Sequence, residues 1–122
     1  MKAYTDLEQS KKLAEILSLD SADMYWKNGV SDKYIQCFTP FVIDEDVNNV
    51  NFDYDVPCWS LAALLEIIRK PTAFDLLING RGYRCHCIDK SEGKFYGTDD
   101  YYNNAIDACV EIIIKLHEQK LL

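Results

Sequence analysis

The run Cys85-His86-Cys87 places two thiols and an imidazole, groups that bind zinc well, at consecutive positions. The residues around it, 83–88, have the composition of a β-strand, in which successive side chains point to opposite faces. Cys85 and Cys87 would then face one side and His86 the other, so one ion cannot bind all three. The sequence therefore predicts no metal site here, and it predicts that the two thiols pack inward.

A cysteine nucleophile would need a histidine as general base. The chain has two histidines. His86 would point away from Cys85 and Cys87 on a strand, and His117 lies eight residues from Cys109, about 12 Å along a helix and too far for direct contact. Cys58 stands at the start of a predicted helix, where the pKa of a thiol can be lowered. We predict no catalytic residues and no cofactor. A small metal- or thiol-dependent enzyme that uses Cys58, Cys85 or Cys87 is kept as the alternative.

The segment 44–55 is an acidic loop with five acidic residues, three asparagines and no basic residue. Asp44, Asp46, Asn48 and Asp55 match positions 1, 3, 5 and 12 of a calcium-binding EF-hand loop. Asn49 stands where that loop requires glycine, and Asp55 stands where a longer glutamate is required. The pattern favours a solvated loop whose carboxylates can face a basic protein partner.

Hydrophobic periodicity and capping signals predict three helices and five or six short strands. The first helix is expected to start with a capping box formed by Thr5 and Glu8, and Asn103 is expected to cap the third helix. An Asn28-Gly29 turn is expected between the first two strands. The predicted helices are 6–17, 57–69 or 57–70, and 104–120, and the predicted strands are 24–27, 34–38, 41–43, 74–78, 83–88 and 94–96.

This order predicts a single domain, 1–122, of the α+β class, with a mostly antiparallel sheet and helices on both faces, an α/β/α sandwich. The two halves are also alike, because each shows Asn-Gly, then a strand with tyrosine and cysteine, then a helix. A repeated strand–strand–helix unit would give this pattern, and so would similar packing needs without duplication.

The second predicted helix is apolar on almost every side, so it is either the most buried element or it uses a second face for a partner. We predict that it binds a partner together with the acidic loop. The predicted binding residues are Trp59, Glu66, Asp44, Asp46, Asp53 and Asp55.

The net charge of −7 argues against binding to nucleic acid or to an anionic membrane, because both depend on lysine and arginine. Five cysteines, an odd number, without a secretory signal predict free thiols and a cytoplasmic protein. No apolar run is long enough to cross a membrane.

Three segments together resemble the phage ABA-sandwich family, and also short proteins of bacterial prophages and mobile elements. These segments are 56–65 (VPCWSLAALL), 82–84 (GYR) and 105–109 (AIDAC). The resemblance implies a three-layer sandwich and a phage-like origin. The family has no established activity, so it implies no catalytic residue.

The leading hypothesis is a non-enzymatic protein that binds another protein or a second copy of itself. A third hypothesis is an inhibitor that imitates nucleic acid with its carboxylates, although the charge is too modest and too dispersed to favour it.

Overall fold

The computed structural model describes residues 2–27, 39–46 and 49–122. Within these ranges the chain forms three α-helices, one 3₁₀ helix at Leu19–Ser21 and two three-stranded antiparallel sheets, which confirms the predicted α+β class. The helices are α1 (Leu7–Ala14), α2 (Leu61–Arg69) and α3 (Ala105–Glu118). The strands are β1 (Met24–Trp26), β2 (Phe41–Val42), β3 (Val56–Cys58), β4 (Thr72–Asn79), β5 (Gly82–Asp89) and β6 (Phe95–Gly97).

The first sheet has the order β2-β1-β3, and its strands are only two or three residues long. Pro57 lies in β3, opposite Tyr25 of β1. Proline is tolerated there because β3 is an edge strand in this sheet, where a missing N–H breaks no ladder. The prediction that Pro57 opens the second helix is therefore wrong. That helix begins at Leu61 with Ser60 as its N-cap.

The second sheet has the order β4-β5-β6, and the predicted hairpin around residues 79–82 is confirmed. Cys85 pairs with Leu76 and Cys87 pairs with Phe74, so these four side chains share one face. Both thiols are buried on that face, whereas His86 lies on the opposite face, as the strand alternation predicted.

The caps of α1 and α3 each lie one residue from their predicted positions. Asp6, not Thr5, caps α1, and it forms the capping box with Gln9. Asn104, not Asn103, caps α3 by accepting a hydrogen bond from the backbone N–H of Asp107 at 2.9 Å. The cap type was predictable in both cases, because several suitable residues stand next to one another and only their packing selects one.

Thr5 has a different role, at the centre of a buried polar network that holds the N-terminal segment against β3. Its hydroxyl accepts the backbone N–H of Trp59 at 3.1 Å and lies 2.7 Å from the hydroxyl of Ser10. The indole N–H of Trp26 donates to the same Ser10 hydroxyl at 3.1 Å. Thr5 and Ser10 are fully buried, and these bonds satisfy their polar atoms.

The core lies between α3, α2 and the inner face of the second sheet. Eight of the residues of α3 are buried, and this helix packs against α2, β5 and α1. The outer face of the second sheet is open to solvent, with Ile88 47% and Phe95 61% exposed. Among the described residues the three helices share a single core on the inner face of this sheet, whereas the sequence predicted helical layers on both faces.

The proposed similarity of the two halves is seen only in outline. Each half contains a three-stranded antiparallel sheet followed by a helix, but the middle strand is β1 in the first sheet and β5 in the second. The predicted turn at 28–29 and the predicted strand 34–38, which includes Cys37, lie outside the described residues. None of the helices in the described ranges has the length and apolar character needed to cross a membrane.

Candidate functional site

An open groove of about 780 Å³ lies between α2, the 3₁₀ helix and the open side of β2. We call it the α2 groove. Its volume falls in the range of about 300–1,000 Å³ that is typical of ligand sites. It is lined by Asp20, Ser21, Ala22, Asp23, Met24, Val42, Ile43, Glu45, Ser60, Ala62, Ala63, Glu66, Ile67 and Lys70.

The α2 groove is lined by apolar and acidic residues together. Its apolar residues come from three separate segments: Ala22 and Met24, then Val42 and Ile43, then Ala62, Ala63 and Ile67. Among the described residues, four carboxylates and one basic residue, Lys70, line the groove. The groove can therefore accept apolar and cationic side chains side by side.

Hydrogen bonds between Asp23 and Ser60 fix the base of the groove. The Asp23 carboxylate accepts the backbone N–H of Ser60 at 2.9 Å and also accepts the Ser60 hydroxyl. The Ser60 oxygen in turn accepts the backbone N–H of Ala63 at 3.2 Å, which caps α2. The start of α2 is thus joined directly to the residue that precedes β1.

Glu66 lies on the exposed side of α2 and forms an ion pair with Arg69, one helical turn further on, at 2.5 Å. The hydrogen bond from Arg69 lowers the pKa of Glu66, so its carboxylate is charged at neutral pH. Both side chains are more than half exposed, and pairs of this kind contribute little to stability. A cationic group of a partner can therefore compete for Glu66 at small cost.

The start of the acidic loop is held next to the groove by Asn49. Its side-chain amide donates to the carbonyl of Val42 at 3.0 Å and accepts the backbone N–H of Asp44 at 2.8 Å. Asp44 and Asp46 flank Glu45, which lines the groove, and all three are exposed. The structure thus places Glu45 of the acidic loop in the same groove as Glu66, whereas Asp44 and Asp46 do not line it.

Asp53 and Asp55 belong to a separate turn before β3 and do not line the groove. The backbone N–H of Asn51 donates to the Asp55 carboxylate at 2.9 Å, and the Asn51 side chain accepts the N–H of Asp53 at 3.0 Å. Asp53 and Asp55 therefore take part in the hydrogen bonds of this turn. Asn48, which was also compared with the EF-hand loop, lies outside the described residues.

Trp59 cannot act as a binding residue on this surface, because its side chain is 0% exposed. Its indole N–H donates to the Ser21 hydroxyl at 2.9 Å, and its ring belongs to the core cluster. The prediction was wrong because it placed Trp59 within the helix, as part of an exposed apolar face. Trp59 instead precedes the cap, and the chain turns it inward.

The four described cysteines, Cys58, Cys85, Cys87 and Cys109, are free thiols, and all are buried. Burial raises the pKa of Cys85 and of Cys109 to about 12, and it also raises the pKa of Cys87. Because the thiolate is the reactive form, these groups are poor nucleophiles in the folded chain.

Cys58 differs from the prediction both in its position and in the direction of its pKa shift. It lies in β3 and not at a helix start, and it is fully buried. Burial raises its pKa although hydrogen bonding from Thr5 acts in the opposite direction. In the described ranges, no three side chains of the metal-binding types His, Cys, Asp and Glu are grouped closely enough to hold a metal ion.

Sequence reasoning missed most of the groove. Asp20, Asp23 and Lys70 were not singled out, because they stand in unrelated segments and share no spacing that indicates a common surface. The apolar residues on the second side of α2 were the one available signal, and Ala62, Ala63 and Ile67 do line the groove. The chain matches no family model, no curated protein and no solved structure.

Proposed function

We propose that this protein is a binding module that holds a basic, amphipathic segment of another protein in the α2 groove. The single observation that supports the proposal most strongly is that apolar side chains and the carboxylates of Asp20, Asp23, Glu45 and Glu66 line one groove. A segment with lysine or arginine beside apolar residues matches this lining. The net charge of −7 favours the approach of a basic partner from a distance.

The burial of the thiols gives no support to the alternative enzyme that uses Cys58, Cys85 or Cys87. The phage-like origin implied by the family resemblance stays an expectation. The binding proposal depends on neither point, because it follows from the groove alone.

The first test measures binding of a fluorescent peptide of alternating lysine and leucine by fluorescence anisotropy. The double variant Glu45→Lys, Glu66→Lys should weaken binding at least about tenfold, which corresponds to about 1.4 kcal/mol. The control variant Glu92→Lys, Glu118→Lys changes the net charge equally at two exposed residues outside the groove. We expect it to weaken binding less than about threefold. Equal losses in the two variants would mean that only overall charge matters, and would overturn the proposal.

A second variant separates the groove from general electrostatic attraction. Val42→Asp adds a negative charge but removes an apolar side chain of the groove that is 68% exposed. Attraction by charge alone predicts tighter binding of the basic peptide, whereas binding in the groove predicts weaker binding. Circular dichroism should first establish that each variant is folded.

A further inference from the structure

Strand β4 has an open edge, and the hydrogen-bond pattern shows which of its backbone N–H and C=O groups point outward. The backbone N–H of Lys90 donates to the carbonyl of Pro71 at 2.9 Å, so this pair is hydrogen-bonded. Antiparallel ladders alternate, which means that Ala73, Asp75 and Leu77 direct their backbone groups toward β5. The N–H and C=O groups of the alternate residues, Phe74, Leu76 and Ile78, therefore point away from β5.

No other described segment pairs with this edge. β4 is the outer strand in the order β4-β5-β6, and no backbone hydrogen bond from another described segment reaches Phe74, Leu76 or Ile78. Ile78 is 68% exposed and Leu77 is 39% exposed. An eight-residue strand thus presents unpaired backbone groups beside exposed apolar side chains.

Proteins normally protect such edges with lysine, proline, a bulge or very short strands. The sequence of β4, TAFDLLIN, contains no lysine, no arginine and no proline, and Asp75 is its one charged residue. The residues of β4 and β5 pair one to one from Thr72 to Asn79, so there is no bulge either. An edge of this kind is suited to pairing with another strand.

The edge is complementary to itself in the antiparallel register that is centred on Leu76. If a two-fold axis passes through Leu76, Phe74 lies opposite the partner's Ile78, and Leu76 lies opposite the partner's Leu76. These are apolar cross-strand pairs, including an aromatic and β-branched pair of the favourable type. If the axis passes through Asp75, the two Asp75 carboxylates lie directly opposite each other, which is unfavourable.

We propose that two copies of this chain associate through antiparallel pairing of their β4 edges about a two-fold axis at Leu76. Each hydrogen-bonded antiparallel pair exchanges two backbone bonds, so the three outward pairs would form about six. The second sheet would become one six-stranded sheet across the dimer. Strand pairing of this length covers less surface than a permanent dimer interface, so association should depend on protein concentration.

The first test is sedimentation velocity over a range of protein concentrations. The mass of the wild-type protein should rise from one chain toward two as concentration increases, whereas Ile78→Lys should stay at one chain throughout. Ile88→Lys is the matched control, since it makes the same change at another exposed isoleucine, on the outer face of the same sheet. We expect it to associate like the wild type.

Two results would overturn the proposal. One is a wild-type protein that stays at one chain at the highest concentration reached. The other is loss of association in Ile88→Lys but not in Ile78→Lys, which would move the interface to the outer face. The variant Glu45→Lys, Glu66→Lys should associate like the wild type, because neither residue lies at the β4 edge. Failure of the groove proposal and failure of this one can therefore be distinguished.

Amide hydrogen exchange tests the backbone pairing itself. Ala73, Asp75 and Leu77 should be protected at every concentration because they bond to β5. Phe74, Leu76 and Ile78 should exchange quickly in dilute solution and become protected as the protein associates. Uniform behaviour of the six amides would contradict pairing at this edge.

Oxidative cross-linking tests the register. Leu76→Cys should form a disulfide between two copies, because the two residues meet at the axis within the separation that a disulfide requires. Asp75→Cys should cross-link less, and the wild-type chain gives the background from its own thiols. Preferential cross-linking of Asp75→Cys would show that the proposed axis is wrong.

Discussion

The two sheets of this protein each have three strands, but they are held together in different ways. In the first sheet the strands have two or three residues. The side chains of Thr5, Ser10 and Asp23 accept hydrogen bonds that join this region to the neighbouring segments. In the second sheet β4 and β5 form an eight-residue backbone ladder. The comparison shows two sources of order within one domain, specific side chains in one half and a regular backbone in the other.

This difference also determines what each half leaves exposed. Short strands joined through side chains leave a recess between the segments, which is the α2 groove. A long regular ladder leaves a straight edge, which is β4. If the comparison is right, the first half should be sensitive to the loss of individual polar and aromatic side chains. The second half should be sensitive to changes in the backbone.

Removal of the Trp59 side chain should have the largest effect. Trp59→Ala leaves a cavity where a fully buried indole contacts the core, and it removes the donor to Ser21. We expect a loss of about 3–5 kcal/mol in the free energy of unfolding, measured by chemical denaturation. Phe74→Ala, at a half-buried residue of the second sheet, should cost clearly less. Similar losses would remove the contrast between the halves.

A backbone change at Gly82 should have the next largest effect. Gly82 has a φ of 127°, and a Cβ atom placed there would lie 2.3 Å from the carbonyl oxygen of Tyr102. We expect Gly82→Ala to lower the free energy of unfolding by about 2–3 kcal/mol, since both the conformation and the contact are unfavourable. Gly80→Ala is the control, because nothing lies within 4 Å of the added atom. A small effect of Gly82→Ala would mean that the ladder tolerates local rearrangement.

Loss of the Asp23 carboxylate should have an intermediate effect. Asp23→Ala leaves the backbone N–H and the hydroxyl of Ser60 without their acceptor, at a half-buried site. We expect a loss of about 1–2 kcal/mol in the free energy of unfolding. The amides of the second sheet should keep their hydrogen-exchange protection. Thr72→Val, which removes one hydrogen bond to the Ile68 carbonyl, should cost less.

The smallest effect concerns Asp107 and depends on pH. Burial acts to raise the pKa of Asp107, but hydrogen bonds from Lys2, Gln9 and Asn104 outweigh it and hold that pKa below its usual value. A carboxyl group with a lowered pKa in the folded state stabilises the fold above its unfolded pKa, and this contribution disappears as the pH falls through the folded pKa.

We therefore expect Asp107→Asn to lower the free energy of unfolding by about 1 kcal/mol at pH 7, allowing for its partial exposure. The difference from the wild type should vanish in acid, below the lowered folded pKa. The control is Asp99→Asn, because Asp99 pairs with Lys115 but is 81% exposed, and its loss should be close to zero. An equal effect at pH 7 and in acid would show that the charge of Asp107 is not responsible.

The elements of the second half could be predicted from the sequence better than those of the first. The Asn79-Gly80 turn, the β-rich runs on either side and the apolar period of the last helix are local signals, and each corresponds to an observed element. The start of α2, in contrast, is not determined by a local sequence signal. Pro57 suits a helix start as well as an edge strand, and only the pairing of β3 with β1 decides between them.

The candidate site was predicted in part. Glu66 lines the α2 groove, and Asp44 and Asp46 are sequence neighbours of Glu45, which also lines it. Trp59 is buried, and Asp53 and Asp55 belong to another turn. Composition can show that a helix has too many apolar residues for one buried face. It cannot show which of them the fold covers, because this depends on contacts between residues distant in sequence, such as Asp23 with Ser60.

One consequence concerns the order in which the chain is made. α3 supplies much of the core, packs against α1 and α2 as well as the second sheet, and follows all of them in sequence. During synthesis, residues such as Leu64, Ile68 and Cys85 therefore have no complete core to enter until Ile106–Leu116 has left the ribosome. We expect stable folding to begin only at that moment, with the apolar side of α2 exposed on the nascent chain until then.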